Sequence, residues 1–331
     1  MAESASPALW ERIEERLRSS PALAASAVIA VIFLLLVITQ GLHDVAQTGL
    51  NGLSLGAIYA LGAVGLTLVY GILRLVNFAH GDFLTFGAYM AFLVNVTWGA
   101  PLVVAVFWGM VATALLGLLF ERLLWGPMRR QKAGFLQLIL MSIGLAFLLR
   151  AVVQWFWGTE IRSLDVDRTS TVELLGLRIG QTELIVVIVG VGVLIGIGLL
   201  LRMTVLGKQM RALSDDLELA ETAGVDTRRV ILYTWLFAGA LAGLAGVLAA
   251  SITNLRPELG FELLLPIFAA VILGGIGDAF GALAAGLVLG VMTEWSTLVV
   301  DARWKIAVGF LVLVIVLVVR PQGIFGKAKA V

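Results

Sequence analysis

The 331-residue sequence contains no cysteine and only two histidines, His43 and His80. That excludes a thiolate nucleophile, a disulfide framework and a paired-histidine metal site. Charge is scarce as well: Asp, Glu, Lys and Arg make up 14% of the chain, against about 25% in an ordinary soluble domain. The 23 basic and 22 acidic residues nearly cancel, so there is no basic excess to hold nucleic acid by counterion release. No Gly-x-x-x-x-Gly-Lys-Ser/Thr motif is present, and Gly207-Lys208 and Gly326-Lys327 lack the hydroxyl residue that would help hold magnesium. The chain therefore does not hydrolyse ATP itself. No succession of Asp, Glu and His runs through the apolar segments, which disfavours a proton relay.

What the chain has in abundance is apolar sequence, 60% of its residues, arranged in runs. This rules out a water-soluble globule and predicts an all-α polytopic protein with one membrane-embedded domain. A helix needs roughly 20 mostly apolar residues to cross a bilayer. On that rule ten spans are expected, at 22–39, 46–72, 83–97, 101–120, 135–157, 184–201, 231–251, 262–280, 281–300 and 304–319. The run at 83–97 is short, and only a Gly-Asp-Ala-Phe-Gly turn separates 262–280 from 281–300, so some helices are expected to be broken or re-entrant. With both termini on the cytoplasmic side, 16 of the 23 Lys and Arg fall in inside segments and 6 in outside ones, leaving Arg150 within a span. The positive-inside rule selects that orientation. The first apolar run is longer than a signal-peptide core and lacks a small-x-small cleavage pattern after it, so it reads as an anchor helix. Trp10, Ile13, Glu14 and Leu17 before it have helical spacing and suit a surface helix on the inner leaflet, or a disordered segment.

Glycine is frequent, with 37 residues. The pairs Gly52/Gly56 and Gly239/Gly243 suit close helix packing, and the same abundance permits broken helices. Breaks are expected at 77–82, Asn-Phe-Ala-His-Gly-Asp, and at 274–281, Gly-Gly-Ile-Gly-Asp-Ala-Phe-Gly. Asp82 and Asp278 read as N-caps of the helices that follow, with a direct part in transport as the other reading. Arg150 and Glu294 lie deepest in apolar sequence, where each either snorkels to the outer interface or lines a pathway. Asn51, Tyr59, Asn77 and His80 are candidate pathway residues, because polar groups near a helix break can meet a zwitterion without carrying net charge. A literal Gly-x-Ser-x-Gly at 52–56 invites pairing of Ser54 with His80 in a hydrolase, but a nucleophile elbow requires a strand-to-helix turn and this match lies in a helical span.

The inside loop 202–229 is too patterned for a linker. Met210, Leu213, Leu217 and Ala220 recur at helical steps and predict one apolar stripe on a short helix, with Arg211, Asp215, Asp216, Glu218 and Glu221 on the other sides. Gly224 fits the left-handed position past the helix end, with Val225 returning to Ala220. Asp226 suits the cap of the next helix. This helix, turn and helix is a candidate docking element for a cytoplasmic partner, the plainer reading being a surface helix on headgroups.

Several ordered motifs carry a resemblance. Asn51-Gly52-Leu53-Ser54-Leu55-Gly56-Ala57-Ile58-Tyr59-Ala60-Leu61, Val69-Tyr70-Gly71-Ile72 and Asn77-Phe78-Ala79-His80-Gly81-Asp82 resemble the opening of the branched-chain amino acid ABC transporter permeases. Ala212-x3-Asp216-x3-Ala220-x3-Gly224-x-Asp226-x2-Arg229 is similar to that family's coupling loop. Leu273-Gly274-Gly275-Ile276-Gly277-x3-Gly281 and Pro321-x-Gly323-Ile324-Phe325-Gly326 are similar to its C-terminal part. The resemblance covers about 46–327, expected to be the permease domain. Residues 1–21 are left as a cytoplasmic segment, 22–45 as an extra anchor and outer loop, and 328–331 as a tail. It implies a bacterial inner-membrane importer subunit for branched-chain, hydrophobic or neutral amino acids, with urea or short amides as alternative cargo and a secondary transporter or channel as a further alternative. It also implies a second homologous permease subunit, two cytoplasmic ATPase subunits that hold ATP and magnesium, and an external substrate-binding protein. No cofactor is expected in this chain. The coupling residues would be Arg211, Asp216, Ala220, Glu221, Gly224, Asp226 and Arg229.

Overall fold

The structure, a computed structural model, describes residues 21–174, 176–319 and 323. The expected surface helix around Trp10–Leu17, the tail and most of the 321–326 motif lie outside these residues. The described helices are α1 (Pro21–Gln40), α2 (Leu42–Leu73), α3 (His80–Phe92), α4 (Leu102–Phe120), α5 (Gly126–Arg130), α6 (Phe135–Trp157), α7 (Gln181–Met203), α8 (Val205–Asp215), α9 (Leu217–Thr222), α10 (Thr227–Ile252), α11 (Leu259–Gly274), α12 (Ala279–Trp295) and α13 (Lys305–Val319). Single π turns extend α3 over Leu93–Thr97 and α4 over Glu121–Trp125.

Among the described residues, six helices are long and apolar enough to cross a membrane: Leu42–Leu73, Leu102–Arg130, Phe135–Trp157, Gln181–Met203, Thr227–Ile252 and Ala279–Leu298. Of the other four expected spans, 22–39 lies on α1, a helix of 20 residues, and 83–97, 262–280 and 304–319 lie on the shorter α3, α11 and α13. α3 has 13 residues, about 20 Å at 1.5 Å per residue, and it starts inside the protein. Chain 74–79 returns from the end of α2 into the interior before α3 begins, so part of that crossing is not helical. α11 has 16 residues and α13 has 15.

Backbone contact organises the centre. A Cβ added at Gly290 of α12 would fall 2.2 Å from the Gly56 Cα of α2, and one at Gly286 would fall 2.5 Å from the Ala60 Cα. No larger side chain fits that seam. Such close approach suits a bilayer, where helix association rests on packing rather than on a hydrophobic drive. The pair Gly239/Gly243 serves the same purpose between α10 and α4, against Thr113, Ala114 and Gly109. α2 and α10 are buried along most of their length, whereas α6 and α7 expose most of their side chains.

The two ends of the bundle differ. At one end a small antiparallel hairpin, β1 (Thr171–Leu174) with β2 (Leu177–Gly180), departs from the all-helical expectation. It lies in the 158–183 loop, where water can satisfy an open strand edge that lipid could not. Arg178 N donates to Gln47 Oε1 at 2.8 Å, and Arg168 donates to the carbonyls of Ala250, Ser251 and Thr253. These contacts fasten the loop to the start of α2 and the end of α10. At the opposite end lie α8 and α9, the turn at 275–278 and Gly323, whose backbone packs against Ile272 and Gly275.

Candidate functional site

Two regions collect the polar groups singled out in the sequence. The first is the 202–229 segment. Thr204 caps α8 by accepting from Gly207 N at 3.1 Å, and the Arg211 guanidinium bonds back to the Leu201 carbonyl, holding α8 against the end of α7. Met210 and Leu213 are buried. The expected single helix is in fact two, because Asp216 takes an extended conformation (φ −153°) and caps α9 by accepting from Leu219 N at 3.0 Å. The apolar spacing survives the break in sequence but not in space: Ala220 is buried while Leu217 and Leu219 face outward. Glu221 is exposed beside them.

The turn after α9 is a Schellman arrangement. Gly224 N donates to Glu221 O and Val225 N to Ala220 O, both at 3.0 Å, with Gly224 at φ +85°. No atom lies within 4 Å of a Cβ placed there, so the requirement for glycine is conformational rather than steric. Asp226 caps α10 through Arg229 N at 3.0 Å, and its other carboxylate oxygen receives the Arg229 Nε at 3.1 Å. Arg74, at the end of α2, donates to the Ser214 carbonyl at 2.9 Å. The hairpin is thereby fastened to α2, α7 and α10 while one whole side of α9 stays free.

The second region is the broken crossing. Asn77 is fully buried, and its Oδ1 accepts from Ala79 N at 3.1 Å while its Nδ2 has no partner. His80 Nε2 donates to the Gly62 carbonyl at 2.9 Å. Tyr59 borders a small void with Thr293 and Lys305. Tyr59 and His80 are thus buried around the middle of α2, and Asn77 is buried in the segment that leads into α3. Asn51 is not part of this group; it lies toward the loop end, where it accepts from Gln47 Nε2 at 3.3 Å. Ser54 bonds to the Asn51 carbonyl at 2.7 Å, so Ser54 and His80 make no nucleophile–base contact.

Two expectations are corrected here. Asp82 does not cap α3, which starts two residues earlier with no side-chain cap. Instead Asp82 receives Arg150 Nε at 3.1 Å and Nη2 at 3.4 Å. Arg150 does not reach for the interface: its guanidinium lies 4.7 Å from the centre of the Phe261 ring and its side chain is 16% exposed. Glu294 likewise pairs with Lys305. Pairing with an opposite charge is the usual way a charge within an apolar span is tolerated. The N-termini of α3 and α11 meet beside the Asp82–Arg150 pair, with Gly260 N donating to Thr85 Oγ1 at 2.9 Å. Asp278, by contrast, does cap α12, accepting from Phe280 N at 2.9 Å and Gly281 N at 3.2 Å.

A buried network that carried no sequence signal sits at the hairpin end of α4. Glu121 pairs with Arg129 and accepts from Trp235 Nε1 at 2.7 Å, while Trp125 stacks on Trp235 at 6.2 Å with the rings nearly parallel. Its members are spread over α4, α5 and α10, and none has a telling neighbour in sequence.

The model of the family described as "Branched-chain amino acid transport system / permease component" matches residues 48–317. The high-affinity branched-chain amino acid transport system permease protein LivH of Escherichia coli K12 is 32% identical over 301 residues, which cover 86% of this chain and 96% of that protein. BraD of Pseudomonas aeruginosa, described as the corresponding permease protein, is 29% identical over 302 residues, covering 87% and 98%. LivM of Escherichia coli K12, also a permease protein of that transport system, is 26% identical over 334 residues, covering 93% and 75%. No solved structure matches.

Proposed function

Because this chain belongs to the family of branched-chain amino acid transport permease components, we propose that it is one membrane-spanning subunit of a binding-protein-dependent ABC importer in a bacterial inner membrane. Its cargo is a branched-chain, hydrophobic or neutral amino acid. It pairs with a second homologous permease, as the similarity to both LivH and LivM supports, and an external protein delivers the substrate. ATP is hydrolysed on two cytoplasmic subunits, and the chain itself needs no cofactor. The amino acid crosses between the two permeases as they alternate between outward- and inward-open states, with Tyr59, Asn77 and His80 near the path and Asn51 toward its outer end.

The observation that carries the coupling role is the free side of α9. Leu217, Leu219 and Glu221 project from a hairpin whose other side is fastened to three membrane helices. Apolar groups exposed to water on a braced element suit insertion into a groove of the ATPase. Asp216, Gly224 and Asp226 set its shape, Ala220 seats it, and Arg211 and Arg229 brace its ends.

Gly224→Asp tests this. A non-glycine residue at φ +85° costs roughly 1 kcal/mol or more and opens the turn. The variant should reach the membrane in normal amount yet lose ATP-driven uptake and co-purification of the ATPase subunits. Normal uptake by a normally expressed variant would refute the coupling role.

A further inference from the structure

A groove of about 510 Å³ runs between α4 and α10 on the outside of the bundle. One wall is Leu115, Leu118, Leu119 and Arg122; the other is Arg229, Leu232, Tyr233 and Leu236. Both sets follow the steps 3, 1, 3, so each is a single helical stripe. The helices are antiparallel, and Arg122 closes one stripe whereas Arg229 opens the other. Both guanidinium groups therefore lie at the same end of the groove, the end that carries α8 and α9, with the leucines beyond them.

Only one of the two charges at that mouth is paired from within. Among the described residues Arg122 makes no hydrogen bond or ion pair, and its neighbour Glu121 is taken up by Arg129 and Trp235. Arg229 has only the exposed Asp226 carboxylate, through Nε. An apolar helix filling the groove would bury an unpaired Arg122, which is costly. A phosphodiester headgroup with an acyl chain matches both the cationic mouth and the apolar walls. Tyr233, an amphipathic ring next to the mouth, suits the headgroup boundary.

We propose that this groove is a binding site for one anionic phospholipid, its phosphate held between Arg122 and Arg229 and an acyl chain lying along the leucines. The phosphate competes with Asp226 for Arg229, so occupancy adjusts the first turn of α10 directly after the hairpin. The site is independent of which solute the protein carries.

The test places the full-length chain in phosphatidylcholine nanodiscs doped with a photoactivatable phosphatidylglycerol or phosphatidylcholine, followed by peptide mapping. The phosphatidylglycerol probe should label 115–123 and 229–236 about fivefold more than the phosphatidylcholine probe, the size of one basic contact to an anionic headgroup. Arg122→Gln should reduce labelling to the phosphatidylcholine level, Arg122→Lys should retain most of it, and millimolar inorganic phosphate should not compete. Equal labelling by the two headgroups, or indifference to Arg122→Gln, overturns the proposal. So does cross-linking of these segments to another protein subunit in intact membranes, which would make the groove a subunit interface.

Discussion

Replacing Asp82 by Leu should destabilise the protein far more than replacing Asp82 and Arg150 together. At 3.1 Å two unit charges attract by about 5 kcal/mol at an effective dielectric of about 20. Removing both groups from water costs a similar amount, so the pair adds little net stability. The asymmetry appears when one partner goes. Arg150, 16% exposed beside the Phe261 ring, would be left as a buried charge without its acceptor, a loss of about 3–5 kcal/mol. Asp82→Leu with Arg150→Met removes both charges and keeps much of the volume, so it should fall within about 1–2 kcal/mol of the parent. The assay is a double-mutant cycle on the purified chain, with loss of helicity followed during titration of mixed micelles with dodecyl sulfate. If the two single losses simply add in the double variant, the groups do not act as a pair and the reasoning fails.

Gly290→Val should prevent assembly of the bundle, because its Cβ would fall 2.2 Å from the Gly56 Cα where only backbone is available to yield; recovery of a monodisperse, normally melting protein would contradict this. Asp278→Ala should cost about 1 kcal/mol through loss of the α12 cap, with Asp278→Asn retaining most of it in the same dodecyl sulfate titration. In the water-exposed loop, the Ser170 and Thr169 hydroxyls hold the Asp167 carboxyl well below the usual carboxylate range. A depressed folded value stabilises above the ordinary pKa and is lost as pH falls through the folded one. Hydrogen exchange of residues 165–182, corrected for its intrinsic pH dependence, should therefore stay level from pH 7 to pH 4 and rise only in stronger acid; a rise centred near pH 4 would show that these bonds do not form.

Legibility followed the distance over which each feature is determined. Gly224, Asp226 and Asp278 could be placed from sequence because a turn or a cap is settled within about four residues. Asp82 invited the same reading, since Gly-Asp before an apolar run looks like a helix start, but its partner is 68 residues away on α6. The spacing of Met210, Leu213, Leu217 and Ala220 stays helical across the kink at Asp216, so the sequence alone does not show that two helix axes are involved. Hydropathy likewise measures only apolar length and cannot show that chain 74–79 travels inward without helix before α3 starts. The Glu121, Trp125 and Trp235 network had no local signature, because each residue looks ordinary until α4 and α10 are laid side by side.

The glycine seam between α2 and α12 has a mechanical consequence. With backbone resting on backbone at Gly56 and Gly290, neither helix can rotate or slide past the other without collision. The two behave as a single stiff plank, to which α10 is joined along its buried length. The hairpin is pinned to this plank through Arg74 at one side and runs straight into α10 at the other. A load applied to α9 would therefore reach the closely packed α2, α10 and α12 before the helices that bury less of their surface, α4, α6 and α7.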